Sequence, residues 1–156
     1  MAVLHVLRLA TQQFRNLADG EIFPCETVNV IYGGNAQGKT NLLEAIWLLT
    51  GGKSFRGGKD AELVRRGEPF AVLEASTLRA QQEEQEPDEP NRVRLTVGTP
   101  DSQRPGRYAS VNGAAPRRAA GLAGSFPAVV FDPGHLSLVK GAPEGRRKFL
   151  DAALCQ

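Results

Sequence analysis

The sequence has few of the residues that build disulfide scaffolds or metal sites. It is 156 residues long and contains two cysteines and two histidines. Cys25 and Cys155 lie near opposite ends of the chain and form no CxxC pair, which argues against both a disulfide framework and a zinc site. His135 has no second ligand at a metal-binding spacing, so we interpret it as a surface or capping residue. These absences favour a reducing compartment, and we expect the cytoplasm.

Long hydrophobic runs and a strong excess of one charge are also missing. No segment approaches the roughly 20 apolar residues of a membrane span, and the first residues contain arginine and glutamine where a signal peptide needs an apolar core. We therefore expect no membrane partner. The 19 basic and 17 acidic residues leave a net charge of +2, so the overall charge does not by itself indicate a nucleic-acid binder.

The chain is modestly basic outside one acidic segment. Residues 81–90 (QQEEQEPDEP) contain five acids, two prolines and no base, a composition typical of a solvated loop. Without them the chain has 19 bases against 12 acids, a balance of +7. The sequence therefore predicts an acidic loop at about 81–90 and a basic surface elsewhere.

The spacing of apolar residues predicts a domain that mixes strands and helices. Alternating or β-branched runs predict strands at 3–9, 27–32 and 127–131 and a short edge strand or turn within 19–25. Three period-two runs predict an antiparallel β layer between residues 68 and 113, with a tight hairpin at Asn112-Gly113. Helical spacing predicts helices at 41–50, 58–67, 134–141 and 144–155. The last helix has no closing cap, so we expect the chain to be a piece of a longer protein.

One motif carries specific chemistry. It is the glycine-rich loop GxxxxGK[ST], between a predicted strand and a predicted helix, and it consists of Gly33, Gly34, Asn35, Ala36, Gln37, Gly38, Lys39 and Thr40. The glycines allow successive backbone N–H groups to point into one concavity, and the helix N-terminus adds its dipole. We expect Lys39 to contact the β and γ phosphates of a nucleotide and the Thr40 hydroxyl to ligate Mg²⁺. The alternative is a glycine-rich turn that only caps a helix.

A nucleoside triphosphatase also needs a carboxylate at the end of a second strand to hold Mg²⁺. Asp132 follows an apolar run and could supply it, which would make the chain a stand-alone small P-loop kinase or GTPase. Pro133 turns the chain at once, however, and no further acid follows directly. We therefore favour a turn and helix cap at Asp132, and the enzyme alternative stays open.

Four separated motifs occur in one order along the chain. They are Phe14-Arg15-Asn16-Leu17, the P-loop followed by NLLEAI, Lys53-Ser54-Phe55-Arg56, and the segment from His135 to Pro143 with Arg146-Arg147-Lys148-Phe149-Leu150-Asp151. Together they resemble the motifs of the RecF family of DNA replication and repair proteins. The resemblance extends from about residue 3 to the end of the chain and leaves out the acidic loop and its flanks.

The resemblance implies an α/β fold of the P-loop NTPase class, in which residues 1–156 form the N-terminal lobe of an ABC-type ATPase head with a mixed sheet and an antiparallel β layer. It implies ATP and Mg²⁺ as cofactors. Arg15 and Asn16 resemble residues that approach the nucleotide from the first strand. Arg56 resembles the arginine that follows the P-loop helix and reaches toward phosphate or DNA.

The resemblance also implies partners. RecF proteins bind DNA and help to load the RecA recombinase at single-strand gaps, and we expect contact with the DNA phosphate backbone. Full-length members form ATP-dependent homodimers and act with recombination mediator proteins. They are more than twice this length, and their second half supplies the helical arm, the ABC signature and the acidic Mg²⁺ site. We therefore expect this chain alone to bind ATP without turnover; the remaining alternative is a truncated, inactive interaction module.

Overall fold

The fold is organised around one antiparallel sheet in a computed structural model that describes residues 3–80, 89–115, 117–131 and 141–154. In this part of the chain the sheet has six strands in the order β2-β1-β3-β4-β5-β6. The strands are β1 (Val3–Gln12), β2 (Gly20–Ile22), β3 (Phe70–Ala80), β4 (Asn91–Gly98), β5 (Gly106–Val111) and β6 (Arg117–Arg118). The helices are α1 (Lys39–Leu48) and α2 (Pro143–Leu154), with 3₁₀ turns at Asp60–Leu63 and Ala119–Leu122.

Most of the predicted elements are confirmed. The first strand, the short edge strand, the antiparallel layer, the P-loop helix and the last helix all form close to their predicted positions. The helix expected within 58–67 is shorter, a single 3₁₀ turn. The predicted hairpin turns where expected, because Asn112 and Gly113 have φ values of 50° and 75° and the Ala114 N–H donates to the Val111 carbonyl at 3.0 Å. Two left-handed residues in succession are what an Asn-Gly turn provides.

The core lies between the sheet and α1. Leu73 on β3 pairs in register with Leu95 on β4, and both side chains are fully buried. α1 packs into the same cluster through Ala45 and Leu48, as does Phe14 from the turn after β1. Burial of such a side chain stabilises the fold by about 2 kcal/mol. This packing fixes the turn after β1 relative to α1.

Two predicted strands are wrong. Residues 27–32 and 127–131 lie outside all strands, and Val28, Tyr32 and Val129 are 75%, 90% and 86% exposed. A strand forms when a neighbouring strand pairs with its N–H and C=O groups, and no described strand runs beside either segment. The sheet is antiparallel throughout the described residues, so no parallel strand of the expected mixed sheet is seen among them.

Several predictions fall on residues that the structure does not describe. These are residues 81–88, which form most of the acidic loop, and Cys155. Asp132, His135 and all but the last residue of the helix expected at 134–141 are also outside the described residues. In the part of the chain that is described, no helix is long and apolar enough to cross a membrane.

Candidate functional site

The glycine-rich loop leads directly into the N-terminus of α1. Gly38 caps the helix with φ 91°, and its carbonyl accepts the first helical hydrogen bond from the Leu42 N–H at 2.9 Å. No side chain in the described part of the chain caps this end, and no acid lies in the first turn. The first N–H groups of a helix have no partner within it, and together with the helix dipole they favour an anion.

Lys39 is held against its own loop. Its ammonium donates to the Gly33 carbonyl at 2.8 Å and to the Gly34 carbonyl at 2.5 Å. An ammonium has three donors, so one remains for a ligand after these two bonds. Thr40 follows on the first turn of the helix and is exposed. The loop therefore presents a positive charge next to an exposed threonine.

A cavity of about 330 Å³ lies in front of this loop. Among the described residues its lining contains two cations and no acidic side chain, so its chemistry suits an anionic group such as a phosphate. Gly33 and Gly34 contact Lys39 but do not line it, and Arg15 lies outside it. The residues that line it are Asn16, Asn35, Ala36, Gln37, Gly38, Lys39, Thr40, Asn41 and Arg56.

The turn after β1 brings Asn16 to the cavity, and its backbone is strained. Gln13 and Arg15 have positive φ values of 52° and 45°, a conformation that costs free energy for residues with a side chain. Asp19 holds the turn by accepting from the Gln13 N–H at 2.8 Å and from Arg65 at 2.6 Å. These two donors, the backbone N–H first, lower the pKa of Asp19. The turn is thus fixed by contacts outside itself.

Arg15 forms an ion pair with a carboxylate that the sequence prediction missed. Its Nε and Nη2 donate to the two oxygens of Glu44 at 2.5 and 2.8 Å. Glu44 is fully buried on α1 and also accepts from the Ser54 hydroxyl at 2.5 Å. The Arg56 guanidinium lies 3.6 Å from the same carboxylate. The sequence did contain one signal for Glu44, because it is an acid on the apolar face of a helix, next to Ala45 and one turn before Leu48.

A second, wider cavity lies beside the first and has several arginines in its lining. It has a volume of about 860 Å³ and includes Arg15, Arg56, Arg65 and Arg66 in its lining. Asn16, Asn41 and Arg56 line both cavities. The structure therefore brings Asn16 to the P-loop and places Arg15 in the neighbouring cavity, so their contacts with a nucleotide stay predictions. Among the described residues no cluster of three or more His, Cys, Asp or Glu side chains could hold a metal ion.

Comparisons with known proteins identify relatives of this chain. A family model described as AAA domain matches residues 8–102. The DNA replication and repair protein RecF of Syntrophotalea carbinolica is 40% identical over 149 residues, which are 96% of this chain and 38% of the relative. The RecF of Anaeromyxobacter sp. strain Fw109-5 is 42% identical over 150 residues, 96% of this chain and 37% of the relative.

Solved structures agree with these sequence matches. A structure of the recombination mediator protein RecF with ATP superposes with a TM-score of 0.82 and 34% identity, covering 96% of this chain and 38% of that one. The Smc head domain from Pyrococcus yayanosii superposes with a TM-score of 0.69 at 17% identity, covering 96% of this chain and 32% of that one. At that identity the second match shows a shared fold alone.

The chain therefore belongs to the AAA domain family and has the fold of a P-loop ATPase head. Within that class its sequence corresponds to the N-terminal part of RecF proteins, and it spans about 38% of the length of the relatives it matches. The predicted resemblance to RecF and the predicted fold class are both confirmed.

Proposed function

We propose that this chain is the ATP-binding N-terminal lobe of a RecF-type DNA replication and repair protein. The observation that carries the proposal is the cavity in front of α1, where a helix N-terminus without a side-chain cap meets Lys39 and Thr40, and where no acidic side chain of the described residues lies. The relatives' name supports the repair role, and a similar structure contains RecF with ATP. The names of these relatives do not support a stand-alone kinase that uses Asp132.

The residues present fit both ATP and Mg²⁺. The backbone N–H groups of the glycine-rich loop and the Lys39 ammonium would hold the phosphates, and the Thr40 hydroxyl would ligate the metal ion. When bound, Mg²⁺ would neutralise part of the phosphate charge. Asn16 and Arg56 also line this cavity.

The test is a substitution of Lys39. Lys39→Ala removes the main charge that faces the phosphates, so we expect Mg-ATP affinity to fall at least about tenfold. Lys59→Ala is the matched control, because Lys59 is exposed and lines neither cavity. Calorimetric titration compares both variants with the wild type. Equal affinity of Lys39→Ala and wild type would contradict the proposal. Thr40→Ala, in turn, should weaken binding only when Mg²⁺ is present.

We further propose that the protein contacts DNA through phosphates. Support comes from the relatives' name and from the four arginines in the lining of the wider cavity. Arg66 is exposed there, and its side chain has no partner among the described residues. Because phosphate contacts release counterions, affinity for duplex DNA should fall steeply with salt and depend little on sequence. Fluorescence anisotropy at increasing salt measures this, and a flat salt dependence would contradict it.

The DNA-binding measurement also tests the role of the acidic loop. Deletion of residues 81–90 removes five acids, so DNA affinity should rise or stay unchanged because like charge is lost. A loss of affinity on deletion would show that the loop itself contributes to binding.

Residues 1–156 are, in this proposal, one lobe of a longer head. The chain spans 38% of its relatives' length, and Val28, Val30 and Tyr32 leave an apolar strip exposed next to the P-loop. A further segment that paired with residues 27–32 would cover this strip and supply the missing strand neighbours. An ATP-dependent homodimer, recombination mediator partners and a location in the cytoplasm belong to this proposal for the whole protein.

A further inference from the structure

The P-loop contains a residue in a conformation that its type disfavours. Ala36 has φ 61°, in the left-handed region that residues with a Cβ rarely occupy. A left-handed residue in such a loop helps to turn successive N–H groups toward one concavity, which is how backbone nests bind anions. Something outside the loop must therefore hold this conformation.

Asn16 makes the contact that holds it. Its Nδ2 donates to the Ala36 carbonyl at 3.0 Å, and its Oδ1 accepts from Asn41 Nδ2 at 2.6 Å. Asn41 is fixed in turn, because its Oδ1 accepts from Arg56 at 2.6 Å. Both polar atoms of the Asn16 amide are therefore engaged by the protein, on the side where the loop meets α1.

Gly38 makes room for this arrangement. A Cβ built on Gly38 would lie 2.7 Å from Leu17 Cδ2 and 3.1 Å from Asn16 Oδ1. Residues 16 and 17 thus pack directly against the backbone of the loop, in space that a side chain at position 38 would fill. The glycine serves this close approach as well as its own positive φ.

We propose that Asn16 is a positioning residue that holds Ala36 in its left-handed conformation and so shapes the anion-binding loop, without contacting the base or ribose of the nucleotide. This inference rests on the proposed ATP binding and differs from the expectation that Asn16 reaches the nucleotide itself. It makes Asn41 and Arg56 the supports of the same contact.

A double-mutant cycle with two ligands tests the proposal. Wild type, Asn16→Ala, Ala36→Gly and the double variant are titrated with Mg-ATP and with magnesium tripolyphosphate, which has no base or ribose. Asn16→Ala should weaken the binding of both ligands about fivefold, which corresponds to the free energy of one lost hydrogen bond. With glycine at position 36 the conformation is no longer strained. In that background Asn16→Ala should therefore weaken the binding of both ligands by less than about twofold.

Each other outcome has a definite meaning. A loss confined to Mg-ATP would mean direct contact with the base or ribose and would overturn the proposal, as would an equal loss with alanine and with glycine at position 36. If the wild type binds neither ligand, the proposed ATP binding itself fails. The cycle is then read from thermal denaturation without ligand, where Asn16→Ala should lower Tm more in the wild-type background than in the Ala36→Gly background. Equal shifts there would overturn the role of Asn16.

Discussion

At the scale of single residues, Glu44 carries the only charge that is buried among the described residues. A buried carboxylate is costly unless its oxygens are paired and hydrogen-bonded. Here Arg15 donates to both oxygens and Ser54 to one of them. Removing the charge would leave the Arg15 guanidinium, whose side chain is only 16% exposed, without its partner.

Substitution of Glu44 by glutamine should destabilise the protein. Glu44→Gln keeps the shape but loses the charge that pairs with Arg15, so we expect the free energy of unfolding to fall by about 3 kcal/mol. Glu74→Gln is the control, because Glu74 pairs with Arg8 and Arg94 at the partly exposed face of the sheet, where ion pairs contribute about 0–1 kcal/mol. Urea denaturation followed by Trp47 fluorescence measures both. If the two variants unfold at the same urea concentration, the buried pair does not stabilise the fold.

The sequence predicts some of these residues and not others, for a physical reason. The P-loop motif encodes its geometry locally, so Gly38, Lys39 and Thr40 could be placed from the sequence alone. Asn16 was found only through its resemblance to a family motif. Glu44 was missed because its role depends on Arg15 and Ser54, which lie 29 and 10 residues away in the chain. A periodicity pattern contains no information about such pairings.

At the scale of secondary-structure elements, the sequence predicts those that depend on nearby residues better than those that depend on pairing with a distant segment. α1 and the Asn112-Gly113 hairpin were predicted correctly because periodicity, glycine positions and turn residues determine them within a few residues. Residues 27–32 have the composition of a strand but form none, because pairing requires a neighbour that their own sequence does not supply. The exposed apolar side chains at Val28 and Tyr32 are the consequence.

The edge strand shows how distant residues complete an element. β2 has three residues, and its Glu21 accepts from Arg8 on β1 at 2.6 Å. Arg8 also donates to Glu74 on β3 at 2.7 Å, and Glu74 accepts from Arg94 on β4 at 3.2 Å. The hydrogen bonds to Glu21 and then Glu74 raise the pKa of Arg8, and the bond from Arg8 lowers the pKa of Glu21. The row of ion pairs links four strands at fixed register, a relation that only the fold reveals.

At the scale of the whole molecule, phosphate binding and ATP hydrolysis make different demands on the cavity. The cavity in front of α1 offers donors and positive charge, and its described lining has no carboxylate that could hold a metal-bound water. Hydrolysis needs both the positioning of the phosphates and the orientation of the attacking water. Binding and turnover of ATP therefore need separate measurements.

We accordingly predict that the 156-residue chain binds Mg-ATP but does not turn it over. Phosphate release by the purified chain should stay at background with and without double-stranded DNA, and ultracentrifugation should show no dimer induced by ATP. The same preparation must bind Mg-ATP in a titration, so that the absence of turnover is not due to unfolded protein. Asp132→Asn is the decisive variant. Turnover that is present in the wild type and lost in Asp132→Asn would contradict the prediction, because Asp132 would then supply the carboxylate of a complete small P-loop enzyme.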